Sequence, residues 1–173
     1  MVKDRLEGQA AVELLLKGRE AWNSRMREQP FSVIDFSGLN FEEFLQKSDL
    51  PALICEGFEF PEGEVLFRGA RFGDMDVSFD GARLQGGTVD FTGAEFGDSD
   101  LYFNKVTAGK TVFDFSDTRF LGTVPREVHF DNGRFEGGEI RFDRALFRDR
   151  LVSLEETDFR KTVLSFQQCR FEE

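Results

Sequence analysis

Residues 65–72 read Val-Leu-Phe-Arg-Gly-Ala-Arg-Phe, and residues 89–96 read Val-Asp-Phe-Thr-Gly-Ala-Glu-Phe. The second stretch keeps the Val, Phe, Gly, Ala and Phe of the first at the same positions. The whole chain of 173 residues contains 22 Phe against one Trp and one Tyr. Because an ordinary core mixes aliphatic and aromatic residues, the dominance of one bulky residue indicates internal repetition.

A bulky central residue recurs at alternating steps of five and seven residues along most of the chain. The alternation is unbroken from Cys55 to Phe120, and it resumes from Phe130 to Phe171. The residue two places before each centre is apolar or small, whereas the residue directly before it is mostly polar. Since positions i and i−2 share a face of an extended strand, each centre and its partner are expected to point inward.

Two longer steps interrupt the alternation and predict insertions. A step of ten leads from the centre at Phe120 to that at Phe130, which predicts a loop at 122–125. A step of fourteen leads from Phe41 to Cys55, which predicts an insertion at 42–51 that forms a short helical turn outside the coil. Loops that project from a repeat scaffold often carry its specificity, so both are candidate functional protrusions, with 42–51 first.

The periodicity favours a coiled β architecture over its alternatives. Steps of five and seven give no stripe at helical spacing, and recurring Gly and Asp disfavour a helix. Apolar pairs of two residues make strands too short for isolated hairpins. Two repeats, each made of a step of five and a step of seven, can instead close a four-sided coil, with successive coils stacked at about 4.8 Å. Leucine-rich repeats, hexapeptide β-helices and calcium-binding β-rolls are rejected because their own sequence periods are missing.

Every fourth centre should fall in one internal ladder of stacked rings. The centres divided among four ladders give about five and a half coils, and a length of about 26 Å. The sequence therefore predicts an all-β solenoid over residues 34–173. The predicted core ladder residues are Phe67, Phe72, Phe79, Phe91, Phe96, Phe103, Phe115, Phe120, Phe130, Phe135, Phe142, Phe147, Phe159 and Phe166.

The unit Phe-x-Gly-Ala-x-Phe at 67–72 and 91–96 resembles the Phe-centred form of the pentapeptide-repeat family. Residues 14–23, followed by 34–41, also resemble a common entry into such proteins. The resemblance implies a right-handed quadrilateral β-helix. Its best understood members are acidic dimers that mimic duplex DNA and bind DNA gyrase, some of them conferring quinolone resistance. The steps of seven, the insertion at 42–51 and Ala108 at a centre depart from the pure pattern.

Residues 1–30 are expected to form an N-terminal capping α-helix, with helix over 4–28. Apolar residues recur there at partly helical spacing, and Pro30 ends the pattern. Gly18 weakens the helix by about 1 kcal/mol. We expect Trp22 to cover the open end of the first coil. The alternative is an amphipathic helix that binds a partner.

The charge distribution limits the classes of partner. The net charge is −11, and residues 34–173 alone carry 16 Lys and Arg against 28 Asp and Glu. Direct nucleic-acid binding is disfavoured because phosphate contacts need Lys and Arg. No apolar run is long enough for a membrane span, and no secretory leader is evident, so the cytoplasm is expected. Cys55 and Cys169 occupy inward positions and are expected to be core residues.

No catalytic, cofactor-binding or metal-binding residues are predicted, and the protein is not expected to be an enzyme. His129 is the only histidine, and nothing in the sequence suggests a partner for metal or acid–base chemistry. Ala108 places a small residue where a ring should stack. We expect Val106 and Phe113 to fill the space left by the small side chain. The alternative is a local cavity with a binding role. Phe44 and Tyr102 are the candidate partner contacts.

Two functions remain open. The first is a scaffold that binds an unidentified protein through its faces, ends or loops. The second is an acidic DNA mimic that binds and inhibits DNA gyrase, although six outward arginines are expected to interrupt an acidic stripe. Because no cap follows Phe171, unpaired strand edges are expected at the C-terminal coil, and a homodimer joined there is a further hypothesis. The six arginines are Arg71, Arg83, Arg119, Arg134, Arg141 and Arg170.

Overall fold

The structure is a computed structural model that describes residues 4–172. Its regular secondary structure is mostly β-strand, in parallel sheets, with three helices. The helices are α1 (Gly8–Leu16), α2 (Arg19–Glu28) and α3 (Phe41–Lys47). The strands are β1 (Arg5–Glu7), β2 (Val33–Asp35), β3 (Leu53–Ile54), β4 (Glu59–Phe60), β5 (Glu64–Leu66), β6 (Val77–Ser78), β7 (Arg83–Leu84), β8 (Thr88–Asp90), β9 (Glu95–Phe96), β10 (Leu101–Tyr102), β11 (Thr107–Ala108), β12 (Thr111–Asp114), β13 (Arg119–His129), β14 (Arg134–Glu136), β15 (Gly138–Arg141), β16 (Leu146–Ser153), β17 (Asp158–Arg160), β18 (Val163–Ser165) and β19 (Arg170–Glu172).

The strands form three parallel sheets. The first has the order β1-β2-β5-β8-β12-β15-β18, the second β3-β6-β10-β13-β16-β19 with β9 on β13, and the third β4-β7-β11-β14-β17. The register joins each residue to its counterpart two repeats along the chain, as Val65 pairs with Val89. Pairs across the second insertion, such as Leu101 and Val128, are three residues further apart in sequence. We call each pair of repeats a layer, and a line of side chains in register through successive layers a row.

Phe rings stack along the rows in the interior. The ring centroids of Phe67 and Phe91 are 4.7 Å apart with planes at 5°, and those of Phe79 and Phe103 are 5.0 Å apart at 6°. This distance matches the spacing of paired strands, so a flat ring packs on its own copy in the next layer. Burying one such side chain stabilises the fold by about 1.5–3 kcal/mol. The ladder spacing inferred from the sequence coincides with this register.

The N-terminal segment departs from the single helix expected over 4–28. Strand β1 precedes the helices and pairs with β2 in the first sheet. Helices α1 and α2 are separated at Gly18, whose φ of 85° is incompatible with helical continuation. The break lets both helices pack against the first layer. Trp22 is buried there, 5.2 Å from the ring of Phe58, and its Nε1–H donates to the carbonyl of Glu59 at 2.8 Å.

The two insertions also differ from expectation. Residues 122–125 lie within the long strand β13 and have no partner in β16, because the register shifts between Leu121 and Arg126. The predicted insertion is therefore present at 122–125, as a bulge in a strand rather than as a separate loop. The insertion at 42–51 contains most of α3, as expected for a helical turn, but the helix does not stand clear of the core. Leu45 is buried and Phe44 is partly buried against the core.

Candidate functional site

One side of the molecule is acidic. The segments that contain β6, β10 and the second half of β13 carry seven Asp and Glu against one Lys and one Arg. Since β10 pairs with both β6 and β13, these segments lie in adjacent layers. We call their outer surface the acidic face. It is formed by residues 73–81, 97–105 and 121–132.

Backbone amides of the next layer hold these carboxylates in position. Asp76 Oδ1 accepts the N–H of Asp100 at 2.8 Å, and Asp100 Oδ1 accepts the N–H of Glu127 at 2.8 Å. Asp80 Oδ1 accepts the N–H of Asn104 at 2.8 Å in a second row. Asp80 lies four residues beyond Asp76, and because only Val77–Ser78 between them are strand, the two rows lie at most about 13 Å apart. The acidic groups therefore form two ordered lines.

An aromatic pair lies between the two acidic rows. The rings of Tyr102 and His129 are stacked, with centroids 4.8 Å apart and planes at 3°. The Tyr102 hydroxyl donates to Asp100 Oδ2 at 3.3 Å. His129 Nδ1 lies 3.5 Å from carboxylate oxygens of both Glu127 and Asp131. Aromatic faces next to carboxylates favour cationic groups, so this surface suits Lys or Arg side chains.

Burial and nearby carboxylates both change the pKa of the Tyr102 hydroxyl. Burial raises the pKa of its hydroxyl to about 12, and the carboxylates of Asp100, Asp76 and Asp80 add to the rise. The phenol therefore remains a neutral hydrogen-bond donor throughout the physiological pH range. Three carboxylates therefore act on this one hydroxyl, and one of them, that of Asp100, also pairs with Arg126 at 3.5 Å.

The six outward arginines do not interrupt this face, because the register places them elsewhere. Arg141 lies in the first sheet, and Arg83 and Arg134 lie in the third. The remaining three form a separate row with Glu95, which is 2.8 Å from Arg119. Sequence reasoning missed this separation because it pooled all outward positions. Sorting the charges by their offset within each layer would have found it. The remaining three are Arg71, Arg119 and Arg170.

One cation near the acidic face is buried rather than displayed. The Arg150 guanidinium donates to the carbonyl of Gly97 at 2.8 Å and to that of Ser99, and it lies 5.4 Å from the ring of Phe120. Burial lowers the pKa of Arg150 to about 10. Arg150 therefore connects layers of the fold and adds little positive charge to the surface.

The C-terminal end exposes apolar side chains. Phe171 is 67% exposed, Leu151 is 64% exposed and Val163 is 56% exposed. In the part of the chain that the structure describes, β17, β18 and β19 each pair with a strand on one side only. We call this surface the open end. It combines unpaired backbone edges with exposed apolar groups, which is typical of a surface that pairs with another chain.

The other residues singled out from the sequence lie in different environments. Phe44 packs against the core, and Tyr102 is partly exposed on the acidic face. Cys55 is buried and Cys169 partly buried, and burial raises the pKa of both thiols. Ala108 is compensated inside by Phe113, which makes edge contacts to the neighbouring rings at 5.7 and 5.8 Å.

Within residues 4–172, no group of three His, Cys, Asp or Glu side chains is arranged to hold a metal ion. No helix in the same range has the length and apolar character needed to cross a membrane. Comparison with protein-family models gave no match, and comparison with curated proteins gave none either.

Proposed function

We propose that the region from residue 34 onward closes into a right-handed quadrilateral β-helix of about five and a half coils, of the pentapeptide-repeat type. In-register parallel pairing of each residue with its counterpart two repeats along supports a coiled path rather than separate sheets. Four internal rows, with Phe as the commonest residue, support a four-sided cross-section. The helices before residue 30 would then cap the first coil.

We further propose that the protein is a non-enzymatic scaffold that binds a basic surface of another protein through the acidic face. The observation that carries this proposal is the segregation of charge onto one face. Ordered carboxylates steer a cationic partner toward the face and fix its register more than they add affinity. The Tyr102–His129 pair supplies an aromatic surface at the middle of the face, where a partner Arg or Lys can stack.

The alternative function is mimicry of DNA, with DNA gyrase as the partner. The geometry that favours it is a pair of carboxylate rows at most about 13 Å apart, a separation within the roughly 12 Å scale of the B-DNA major groove. An enzyme that binds DNA through rows of Lys and Arg would meet a comparable pattern of negative charge.

A homodimer through the open end is also proposed. Joining two open ends would cover Phe171, Leu151 and Val163 and would give the unpaired strand edges a partner. Such a contact uses the same surface on both copies, as a two-fold dimer requires. It would also extend the acidic face over two molecules.

Fluorescence anisotropy with a labelled octa-arginine peptide tests the scaffold proposal. The test variant combines Asp76→Asn, Asp80→Asn and Asp100→Asn, which retain the oxygen that accepts the backbone N–H of the next layer. The matched control combines Glu13→Gln, Glu20→Gln and Glu28→Gln, which remove the same charge from α1 and α2. We expect about tenfold weaker binding for the test variant and little change for the control. Equal losses would mean that net charge alone attracts the peptide.

Supercoiling by purified DNA gyrase, measured with and without micromolar protein, separates the two functions. Inhibition accompanied by direct gyrase binding, and lost in the acidic-face variant, would support DNA mimicry. Octa-arginine binding without gyrase binding would favour a scaffold for a different basic partner.

A further inference from the structure

The third sheet carries a groove on its outer side. Three adjoining depressions of about 300, 490 and 270 Å³ follow one another from α2 toward the open end. The first and second share Arg83 and Gln85 in their walls, and the second and third share Arg134 and Glu136. The groove therefore crosses β4, β7, β11, β14 and β17, a distance of about 19 Å.

The middle depression is the largest because the layer of β11 carries small residues. Thr107 pairs in register with Arg83 on one side and Arg134 on the other, so a short side chain stands between two long ones. Gly109, which follows β11, has no side chain to fill the same place. We call this depression the notch. It is lined by Arg83, Leu84, Thr107, Ala108, Gly109 and Arg134, together with Gln85 and Glu136.

The notch holds cations whose charge is weakly compensated. Arg83 lies 4.0 Å from its nearest carboxylate, that of Glu59. Arg134 makes no ion pair within residues 4–172. By contrast, Arg141 in the first sheet pairs with two carboxylates. The lining of the notch holds two arginines against one carboxylate, that of Glu136, so it carries one net positive charge in a chain with a net charge of −11.

The spacing of these arginines suits one anionic group. Arg83 and Arg134 stand two layers apart in one row, which places their Cα atoms about 10 Å from each other. Both guanidinium groups can therefore reach an oxyanion held above Thr107, and the Thr107 hydroxyl offers a third donor. Guanidinium groups bind carboxylates through paired, charge-assisted hydrogen bonds.

We propose that the notch binds a carboxylate side chain on an extended segment of a partner protein, with Arg83 and Arg134 as the anion contacts. The full groove accommodates about six extended residues. This inference goes beyond the acidic face, because it assigns a docking site of opposite charge to a different sheet. A partner with a basic surface and an acidic segment would then be held at two places.

Two-dimensional NMR with a six-residue peptide of alternating Ala and Glu tests the proposal on the full chain. We expect saturable shifts of the Arg83 and Arg134 Nε–H signals and of the Thr107 and Gly109 amides. Arg134→Gln should weaken binding about tenfold, and Thr107→Leu should weaken it by filling the notch with both arginines present. Arg119→Gln is the matched control, since Arg119 pairs with Glu95 on another row.

Each variant's amide spectrum shows directly whether its fold is retained. Equal weakening by Arg119→Gln, or no localised shifts at all, would overturn the proposal. A titration with inorganic phosphate separates a peptide site from a general anion site. If phosphate alone binds as tightly as the peptide and shifts the same signals, the peptide assignment is wrong.

Discussion

The first and last layers of the repeat region both contain an interior Phe ring, but they differ in what covers that ring. At the first layer, Phe36 is fully buried, with the Trp22 ring stacked 6.4 Å away. At the last layer, Phe171 stacks on Phe147 at 5.0 Å, yet it remains 67% exposed. Stacking alone therefore does not bury a terminal ring. Within residues 4–172, the N-terminal helices cover the first layer, and no comparable element covers Phe171.

The largest expected effect comes from removing the ring that covers the first layer. Trp22→Ala should destabilise the protein by about 3–5 kcal/mol, because it opens a cavity and removes the donor to the Glu59 carbonyl. Phe171→Ala should cost less than about 1 kcal/mol, because water already reaches most of that ring. Urea denaturation of both variants measures the difference.

Phe91→Ala is the internal reference for this pair. Phe91 stacks between Phe67 and Phe115 and is fully buried. Phe91→Ala should therefore destabilise the protein about as much as Trp22→Ala. If Phe171→Ala proves as costly as Phe91→Ala, the last layer is covered in solution. That result would be the signature of self-association rather than of an exposed end.

The second prediction concerns that association. Replacing Leu151 and Phe171 together by Lys should weaken a dimer through the open end at least about tenfold, because charges would enter its apolar centre. Leu16→Lys at the opposite end is the control, since Leu16 is also partly exposed at 38%. Light scattering at micromolar concentration measures both variants. A monomer for the unsubstituted chain would remove the dimer proposal.

Much of the fold follows from the sequence because its period is strict. Steps of five and seven assign each centre to a row. In the structure, every second repeat pairs in parallel, so the residues assigned to one row lie in register. The mostly β, parallel architecture was predicted correctly on this basis. The N-terminal helix was predicted wrongly in its extent, because Gly18 lies inside a helical pattern and its positive φ could not be read from the pattern.

The candidate surfaces were harder to predict. Whether a charged residue lies near Tyr102 or near Glu95 depends on its position in the sequence of its layer. The net charge of the chain does not contain this information. The buried contacts of Arg150 have no counterpart in the period at all, because they depend on the bulge shared by β13 and β16. The notch likewise results from Thr107 standing between two arginines, which only the register reveals.

The third prediction compares two layers at the turns that follow β6 and β10. Gly81 and Lys105 occupy successive positions of the same row, with φ of 65° and 56°. A side chain at Gly81 meets no atom within 4 Å, so Gly81→Ala should cost about 1–2 kcal/mol through backbone strain alone. Lys105→Gly should stabilise the protein by up to about 1 kcal/mol. Thermal unfolding of both variants tests whether layers toward the open end hold more backbone strain. If both substitutions change the melting temperature in the same direction, that idea is wrong.

The smallest expected effect is a pH-dependent loosening of the last layer. Asp143 Oδ1 accepts the Ser165 hydroxyl at 2.5 Å and the Gln167 N–H at 2.9 Å. The hydrogen bond from Ser165 lowers the pKa of Asp143, against the opposing effect of burial, and the Gln167 N–H lowers it further. Because the folded pKa lies below the ordinary value of about 3.9, this stabilisation is present above that value and is lost as the pH falls through the folded pKa.

Hydrogen exchange at the Gln167 amide, expressed as protection relative to the unstructured rate, measures this loss below about pH 4. The Asn104 amide is the interior comparison, since Asp80 holds it in the same way but layers lie on both sides. Asp143→Asn keeps an acceptor oxygen and removes the titration, so its Gln167 protection should no longer depend on pH. If Gln167 and Asn104 lose protection together, the last layer opens only with the whole fold. A partner copy in solution would explain that result, because it would make the two ends of the repeat region equally well covered.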